Sequence, residues 1–126
     1  ARYRAYPYLH QEMGAALQAA DLVVSRAGAS VLGEYPLFGL PAILVPYPYA
    51  WRYQRVNAQH LARQGAAVML EDADLGEQLL PRIQALLANR KQRESMRAAA
   101  KALARPEAAD KIAGMLRELA AGEARS

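Results

Sequence analysis

The sequence of 126 residues contains no cysteine. Without a thiol, the chain can form neither a disulfide framework nor a thiolate metal site, and thiol redox chemistry is excluded. It also has no apolar run approaching the ~20 residues that span a bilayer. The first ten residues, ARYRAYPYLH, lack the apolar block of a signal peptide. We therefore expect a water-soluble segment, suited to the reducing cytoplasm.

Aromatic residues are scarce where the basic residues are dense. Residues 90–126 hold nine Lys and Arg against five Asp and Glu, whereas residues 1–89 hold seven of each, so the formal charge of +4 arises in the last third. Four of these bases recur along alanine-rich stretches: Arg93, Arg97, Lys101 and Arg105. Because no aromatic residue lies between them and no nucleic-acid motif is present, we interpret them as a solvated helix face and expect no nucleic-acid partner.

Short apolar runs alternate with helical stretches over the first 73 residues. Strands are predicted at 22–25, 42–46 and 67–70, with a weaker candidate at 3–9. Helices are predicted at 13–20, 29–38 and 53–65, and Gly39 and Gly65 are the expected stops of the last two. Buried strands that alternate with helices are typical of a parallel sheet with helices on both faces. The fold class is therefore α/β, a Rossmann-like sheet.

From Asp74 onward the pattern is helical only. Breaks near Asn89 and Pro106 divide this region into a first helix and two further helices. The first carries an apolar stripe of Leu75, Leu79, Ile83 and Leu86 or Leu87. The length suits one domain, 1–126, with an α/β portion at 1–73 and a helical tail at 74–126.

The stretch SRAGASVLGE, residues 25–34, follows the predicted strand LVVS and opens the next helix. In open α/β sheets, ligands gather at the carboxyl ends of the strands. Gly28 lets a ligand approach the backbone without a Cβ in the way. The backbone N–H groups of residues 28–31, together with the helix dipole, suit an anion, and phosphate is the natural one.

Glu34 lies four residues after Ser30, on the same helix face and about 5–6 Å further along. Its carboxylate has two acceptor oxygens, which suit the two hydroxyls of a ribose attached to the phosphate. Phosphate and ribose together indicate a nucleotide. The residues alone leave a second interpretation open, in which Ser30 is an N-cap, Glu34 is a first-turn acid favoured by the dipole, and Gly28 is an ordinary turn glycine.

The stretch ADLVVSRAGASVLGEYPLFGLPAILVPYP, followed by Gln54, Asn57-Ala58 and GAAVML, resembles the donor-binding half of the MurG-type N-acetylglucosaminyltransferases of peptidoglycan synthesis. These enzymes have the two-domain glycosyltransferase-B fold, and the resemblance runs from about Tyr3 to the last helix. In that family the C-terminal half binds UDP-GlcNAc and the N-terminal half binds the membrane lipid acceptor. The resemblance implies an inverting transfer that converts lipid I to lipid II at the cytoplasmic face of the membrane, with peripheral membrane contact and no metal or other cofactor.

Carried over residue by residue, the resemblance implies a set of substrate contacts. The turn at Arg26 would line the diphosphate and sugar, Glu34 would hold the ribose, and the helix pair Gln54 and Asn57 would face the N-acetylglucosamine hydroxyls. The stretch YPYLHQEM corresponds to the loop that reads the uracil edge, which places Leu9 or His10 near the base. The complete predicted set is Leu9, Arg26, Gly28, Ala29, Ser30, Glu34, Gln54 and Asn57.

The sequence departs from the family at two places. Trp51-Arg52-Tyr53 stands where many members have acidic or amide residues and a histidine. The GGSQG-like turn that begins this domain in the family is missing, and so is the acceptor half, so the chain resembles a fragment. Inverting transfer needs a general base for the acceptor's proton. The resemblance places that base in the missing half, and we predict no catalytic residue in this chain.

The sequence signals for other kinds of site are weaker. The pair in Asp72-Ala73-Asp74 imitates a metal-binding motif, but Asp74 is well placed as a helix N-cap and we predict no metal site. The two histidines, His10 and His60, have no evident triad partners. The alternatives that remain open are another glycosyltransferase-B member, a UDP-sugar epimerase, or a non-catalytic donor-binding module that acts with a separate acceptor-binding chain. The epimerases have a serine with paired glycines and paired glutamates at the turn, unlike SRAGASVLGE.

Overall fold

A computed structural model describes residues 2–123. Six α-helices and three strands occur in the predicted order within this range. The elements are α1 Met13–Ala19, β1 Val23–Ser25, α2 Val31–Phe38, β2 Ala42–Leu44, α3 Tyr53–Arg63, β3 Ala67–Met69, a 3₁₀ turn Asp72–Asp74, α4 Leu75–Ala88, α5 Arg90–Leu103 and α6 Ala108–Glu123.

The three strands form one parallel sheet in the order β1-β2-β3. The central residue Ile43 of β2 pairs with Val24 of β1 and Val68 of β3. Because parallel strands need crossover connections, α2 links β1 to β2 and α3 links β2 to β3. The carboxyl ends of all three strands therefore meet at one edge of the sheet, where the connections to α2, α3 and α4 begin.

The core lies on both faces of this sheet, because alternate residues of β2 point to opposite sides. On one face, Ala42 and Leu44 belong to a cluster that includes residues of α2, α3 and α5. On the other face, Ile43 and Val45 cluster with Leu86 of α4 and with a methionine of α5. Helices on both faces of a parallel sheet were predicted, and this prediction is confirmed.

Helices α4 and α5 complete the core. The predicted stripe of α4 packs on the second face through Leu75, Leu79, Ile83 and Leu86. Leu87 is 48% exposed, which decides between the two leucines. Helix α5 contributes Ala100 to the first cluster and Met96 to the second. The region predicted as a helical tail therefore shares both clusters with the α/β portion.

Helix α6 belongs to neither cluster. Four apolar side chains along it are about two-thirds exposed: Ile112, Met115, Leu116 and Leu119. Among the helices of residues 2–123, none combines the length and apolar character needed to cross a membrane.

Three local predictions are wrong, each for an identifiable reason. Residues 3–9 form no strand. Pro7 has no N–H to donate to a neighbouring strand. The tyrosines of this segment are 61–82% exposed, so the segment has no buried face. Strand β1 is only half buried, since within residues 2–123 it pairs with β2 alone. Asp74 precedes α4 but its side chain makes no cap hydrogen bond, because its φ of −94° and ψ of −1° are helical rather than extended.

Candidate functional site

The turn between β1 and α2, residues 26–30, is fixed at its base by a pair of hydroxyl groups. Ser25 Oγ donates to the carbonyl of Arg26 at 2.8 Å, and it accepts a hydrogen bond from the Tyr35 hydroxyl at 2.9 Å. Tyr35 lies one turn into α2 and is only 8% exposed. These bonds set the direction in which the chain leaves the strand, a role that the sequence analysis did not assign to either residue.

Three backbone amides of this turn are open. The N–H of Val31 donates to the Gly28 carbonyl at 3.3 Å, so it is occupied by the first turn of the helix. In the described part of the chain, the amides of residues 28, 29 and 30 donate no hydrogen bond. The predicted anion-binding set 28–31 is therefore too long by one residue. Ser30 occupies the N-cap position of α2, as the alternative interpretation predicted, but its φ and ψ of −62° and −28° are helical and its side chain makes no cap hydrogen bond.

Gly28 has open space where a Cβ would project: apart from its two chain neighbours, no residue in the range 2–123 has an atom within 4 Å of that position. A glycine that only makes a tight turn usually has a positive φ, and among the described residues the positive-φ glycines are Gly39 and Gly65. Neither backbone strain nor crowding within the chain explains a glycine at position 28. The surface beside this turn can therefore admit a ligand close to the backbone.

The amide side chains of α3 hold this turn in place. Gln54 Oε1 accepts the N–H of Ala27 at 3.3 Å and the N–H of Tyr47 at 2.9 Å. Asn57 Nδ2 donates to the Ala27 carbonyl at 3.0 Å. The two residues lie three apart on one helix face, as predicted, and one end of each amide positions the backbone of the turn. The other ends, Gln54 Nε2 and Asn57 Oδ1, make no hydrogen bond within residues 2–123.

The Arg26 guanidinium crosses the carboxyl ends of all three strands. Its Nη1 lies 2.5 Å from Asp72 Oδ1 and 3.5 Å from the carbonyl oxygen of Val45, and its Cζ is 5.3 Å from the centre of the Tyr47 ring. Arg26 follows β1, Val45 follows β2, and Asp72 comes after β3. The two charged side chains are 46% and 35% exposed, so the pair contributes more to the position of the cation than to stability.

The Arg26 contact gives Asp72 a role that the sequence did not indicate. The pair of Asp72 and Asp74 was considered as a metal-binding motif, but one carboxylate binds an arginine instead. Within residues 2–123, no three side chains of His, Cys, Asp or Glu are grouped so that they could hold a metal ion. Since 46 residues separate Arg26 from Asp72, only the strand order could have revealed the contact.

A second ion pair, between Arg55 and Glu71, ties α3 to the end of β3. The guanidinium and carboxylate make two parallel contacts, of 2.7 Å and 2.6 Å. The hydrogen bond and the charge of Glu71 raise the pKa of Arg55 above its ordinary value. Arg55 directly follows Gln54, so this pair helps to fix the part of α3 that touches the turn.

Glu34 and Leu9 stand apart from these contacts. The Glu34 side chain is exposed on α2 and makes no hydrogen bond or ion pair within residues 2–123. Leu9 is half buried and lies in a cavity of about 490 Å³. The cavity is lined by Tyr6, Tyr8, Leu9, His10, Glu12, Ala15 and Ala16. No residue of the turn 26–30 lines it, so the structure does not bring Leu9 and the turn into one cavity.

An α/β chain with an open glycine turn at the carboxyl edge of a parallel sheet suits a domain that binds phosphorylated ligands. The sequence profile of the glycosyltransferase family 28 C-terminal domain matches residues 1–112, and the chain belongs to this family. The predicted resemblance to MurG-type transferases and the predicted fold class are both confirmed.

Two curated relatives are each named UDP-N-acetylglucosamine--N-acetylmuramyl-(pentapeptide) pyrophosphoryl-undecaprenol N-acetylglucosamine transferase. The protein of Desulforamulus reducens is 47% identical over 108 residues, covering 84% of this chain and 29% of the relative. That of Desulforudis audaxviator is 46% identical over 116 residues, covering 90% and 31%. The crystal structure of Acinetobacter baumannii MurG matches with a TM-score of 0.81 at 29% identity, covering 91% of this chain and 33% of that protein. The chain thus spans about three-tenths of the length of these relatives.

Proposed function

We propose that this chain is the donor-binding part of an inverting N-acetylglucosaminyltransferase that uses UDP-GlcNAc to convert lipid I to lipid II. The names of the relatives support the substrate and the reaction. The observation that carries the proposal is the turn at Gly28, where three amides and open space lie at the carboxyl edge of the sheet. The acceptor site and the general base belong, in this proposal, to the part of the relatives that the chain does not match.

The turn suits the diphosphate of the donor. The amides of residues 28–30 can each donate to a phosphate oxygen, and the dipole of α2 favours negative charge at the same place. The Arg26 guanidinium belongs to the same turn and offers further N–H donors, while its positive charge is paired with Asp72. When the acceptor oxygen attacks the anomeric carbon, the bond to the diphosphate breaks and negative charge grows on the departing phosphate. Donors already in position would stabilise that charge in the transition state.

The remaining polar groups suit the rest of the nucleotide sugar. The Glu34 carboxylate is free to accept two hydrogen bonds from a ribose. The unused ends of Gln54 and Asn57 offer one donor and one acceptor to the sugar hydroxyls. Leu9 and its cavity would contact the uracil only if the base extends beyond the turn, and this part of the predicted set stays a prediction.

Membrane contact, in this proposal, belongs to the rest of the protein, at the cytoplasmic face. Two of the four C-terminal bases, Arg93 and Arg105, donate hydrogen bonds within the described residues. Arg93 Nη1 donates to the carbonyls of Leu86 and Leu87, and Arg105 Nη1 donates to those of Ala102 and Ala104. The stem of Lys101 packs beside Gly39. These contacts give Arg93 and Arg105 a role in the fold, so an anionic surface is not needed to explain these two bases.

Calorimetric titration of the chain with UDP, UDP-GlcNAc and UDP-glucose tests the proposal. We expect UDP to bind and UDP-GlcNAc to bind more tightly than UDP-glucose. We also expect no transfer to a lipid I analogue by this chain alone, since the base is absent. Equal affinity for the two sugar nucleotides would favour another glycosyltransferase-B member, and a failure of all three to bind would reject the donor site. Transfer by the chain alone would contradict the placement of the base.

A further inference from the structure

The connection from β2 to α3 displays aromatic side chains to solvent. We call residues 47–53, YPYAWRY, the aromatic loop. Its four aromatic residues and their exposed fractions are Tyr47 45%, Tyr49 82%, Trp51 88% and Tyr53 77%. Large aromatic side chains contribute most to stability when they are buried, and exposed apolar patches mark recognition surfaces. Exposure of four aromatic residues within seven therefore indicates a ligand.

The aromatic loop is held in a defined shape. The N–H of Ala50 donates to the Tyr47 carbonyl at 3.2 Å, which closes a turn, and the N–H of Tyr47 donates to Gln54. The Tyr47 and Tyr49 rings lie 5.6 Å apart at 70°, an edge-to-face contact. Pro48 fixes one further φ angle. The aromatic faces are therefore presented by an ordered backbone.

Trp51 carries the one positive φ outside glycine within residues 2–123, at 49°. This conformation is strained for a bulky residue and persists where the surroundings impose it, often at functional sites. The indole is 88% exposed, so burial within the described chain does not offset the strain. Neither the backbone angle nor the packing of this chain favours tryptophan at position 51.

The aromatic loop adjoins the turn proposed to bind the diphosphate. The same Gln54 oxygen that accepts from Tyr47 accepts from Ala27, and the Arg26 guanidinium lies over the Tyr47 ring. Trp51 is three residues before Gln54, so their Cα atoms are at most about 11 Å apart. A ligand that suits this place has a flat apolar face and a polar rim, because the rings neighbour arginines and amide groups. A pyranose ring has these properties.

We propose that Trp51 is a carbohydrate-stacking residue whose indole packs against a pyranose ring, supplied either by the donor or by the acceptor. The location of this contact rests on the donor site proposed above. A lipid surface is the less favoured occupant, since the base of the aromatic loop and the donor turn both donate to the same oxygen of Gln54.

Trp51 is the only tryptophan of the chain, so its fluorescence reports on this contact directly. The chain is titrated with UDP, with UDP-GlcNAc and with the methyl glycoside of N-acetylmuramic acid, while calorimetry records binding. A shift of the emission to shorter wavelength with UDP-GlcNAc, and none with UDP, identifies the donor sugar. A shift with the muramic glycoside alone identifies an acceptor sugar. Either result supports the proposal.

The failures of the two proposals can be distinguished. If UDP-GlcNAc binds in calorimetry and neither sugar alters the emission or its quenching by acrylamide, the stacking role is rejected and the donor site stands. If no nucleotide binds and no sugar alters the emission, both are rejected. A shift produced by vesicles of anionic phospholipid, with none produced by the sugars, would reject stacking in favour of a lipid contact.

Substitutions separate the ring from the backbone. Trp51→Ala should weaken the binding of the responsive sugar ligand roughly three- to tenfold without changing UDP affinity, and Trp51→Tyr should retain most of it. Trp51→Gly should lose the same sugar affinity while raising the denaturation midpoint, because it relieves the positive φ. Tyr3→Ala, at an 82% exposed aromatic outside the aromatic loop, is the control and should change neither. An equal loss for UDP and the sugar ligand in Trp51→Ala would overturn the proposal.

Discussion

The two ends of α2 are marked by glycines of opposite character. Gly39 ends the helix with a φ of 57°, and a Cβ there would lie 2.7 Å from Cγ and Cε of Lys101. Gly28 precedes the helix without a positive φ, and a Cβ there would meet no described atom within 4 Å. The fold requires glycine at position 39 and does not require it at position 28. The diphosphate site proposed above would account for a glycine at the start of α2.

The backbone hydrogen bonds of the two ends show the same contrast. At the C-terminus, the N–H groups of Gly39 and Leu40 donate to the carbonyls of Pro36 and Tyr35, both at 2.9 Å. This pattern satisfies groups that a helix end leaves unpaired. At the N-terminus, the amides of residues 28–30 have no acceptor within the described chain, and Ser30 does not cap them. A requirement of folding alone would favour a cap there.

The largest expected effect tests whether the open end of α2 recognises a ribose. Glu34→Gln keeps the shape of the side chain and removes its charge, and it should weaken UDP binding by about 1.5–3 kcal/mol through loss of charge-assisted hydrogen bonds. A 2′-deoxy donor should bind the original chain more weakly and lose little more in the variant, because one partner is already gone. Calorimetry with both donors measures this coupling.

A matched control exists at another helix. Glu77 occupies the first turn of α4 as Glu34 does that of α2, so Glu77→Gln reproduces any effect of the helix dipole on stability. It should leave UDP affinity unchanged. Equal losses for ribose and deoxyribose donors in Glu34→Gln would reject the ribose contact while keeping the phosphate site. No loss for either donor would make Glu34 an ordinary surface residue.

The next effect concerns the closed end of α2 and should act on stability. Gly39→Ala forces a left-handed conformation on an L-residue, which costs about 1–2 kcal/mol, and also displaces the Lys101 stem. Urea denaturation should show this loss in the free energy of unfolding. Adding Lys101→Ala should recover the steric part and leave the backbone part. UDP affinity of the folded variant should be unchanged, and an unaltered denaturation midpoint would contradict the assignment.

A smaller effect, on UDP affinity rather than on stability, is expected at the N-terminal end of α2. Gly28→Val fills the space that the diphosphate would use, and it should weaken UDP binding at least tenfold, about 1.4 kcal/mol. Its free energy of unfolding should change little, because a Cβ at this position has open space around it. Gly114→Val, at an equally open glycine of α6, controls for the added bulk. Unchanged UDP affinity in a folded Gly28→Val variant would remove the phosphate assignment.

Local signals in the sequence were enough to predict most of the fold. The stop of α2 was predictable because a glycine after an apolar helix is a local signal, and the φ of Gly39 confirms it. The strand predicted at 3–9 failed because strand formation also needs a partner, which a local pattern does not supply. The contact between Arg26 and Asp72 depends on strand order across 46 residues, beyond the reach of any local pattern.

The site was predictable in part, and mostly through resemblance. The structure joins Gln54 and Asn57 to Ala27 by hydrogen bonds, as expected of residues that serve one site. Their positioning role was missed because the sequence does not show which end of an amide meets the backbone. The substrate contacts of the whole predicted set stay predictions, since each depends on a ligand geometry that the chain alone does not specify.

The smallest expected effect concerns the C-terminus of α4. There the side chain of Arg93, from α5, takes the place that Gly39 has at the end of α2. Arg93 Nη1 donates to the Leu86 carbonyl at 2.7 Å, which also accepts the N–H of Asn89 at 3.3 Å, and it donates to the Leu87 carbonyl, which the helix end leaves unpaired. Arg93→Gln should therefore lower the free energy of unfolding by about 0.5–1.5 kcal/mol. Arg97 is a half-buried base of α5 that makes no hydrogen bond or ion pair within residues 2–123. Arg97→Gln should therefore change the free energy of unfolding less. Neither variant should alter association with anionic vesicles, measured by co-sedimentation at low and high salt, because the proposal places membrane contact in the rest of the protein. Strong salt-sensitive binding by the original chain that both variants lose would show instead that the basic face meets a membrane.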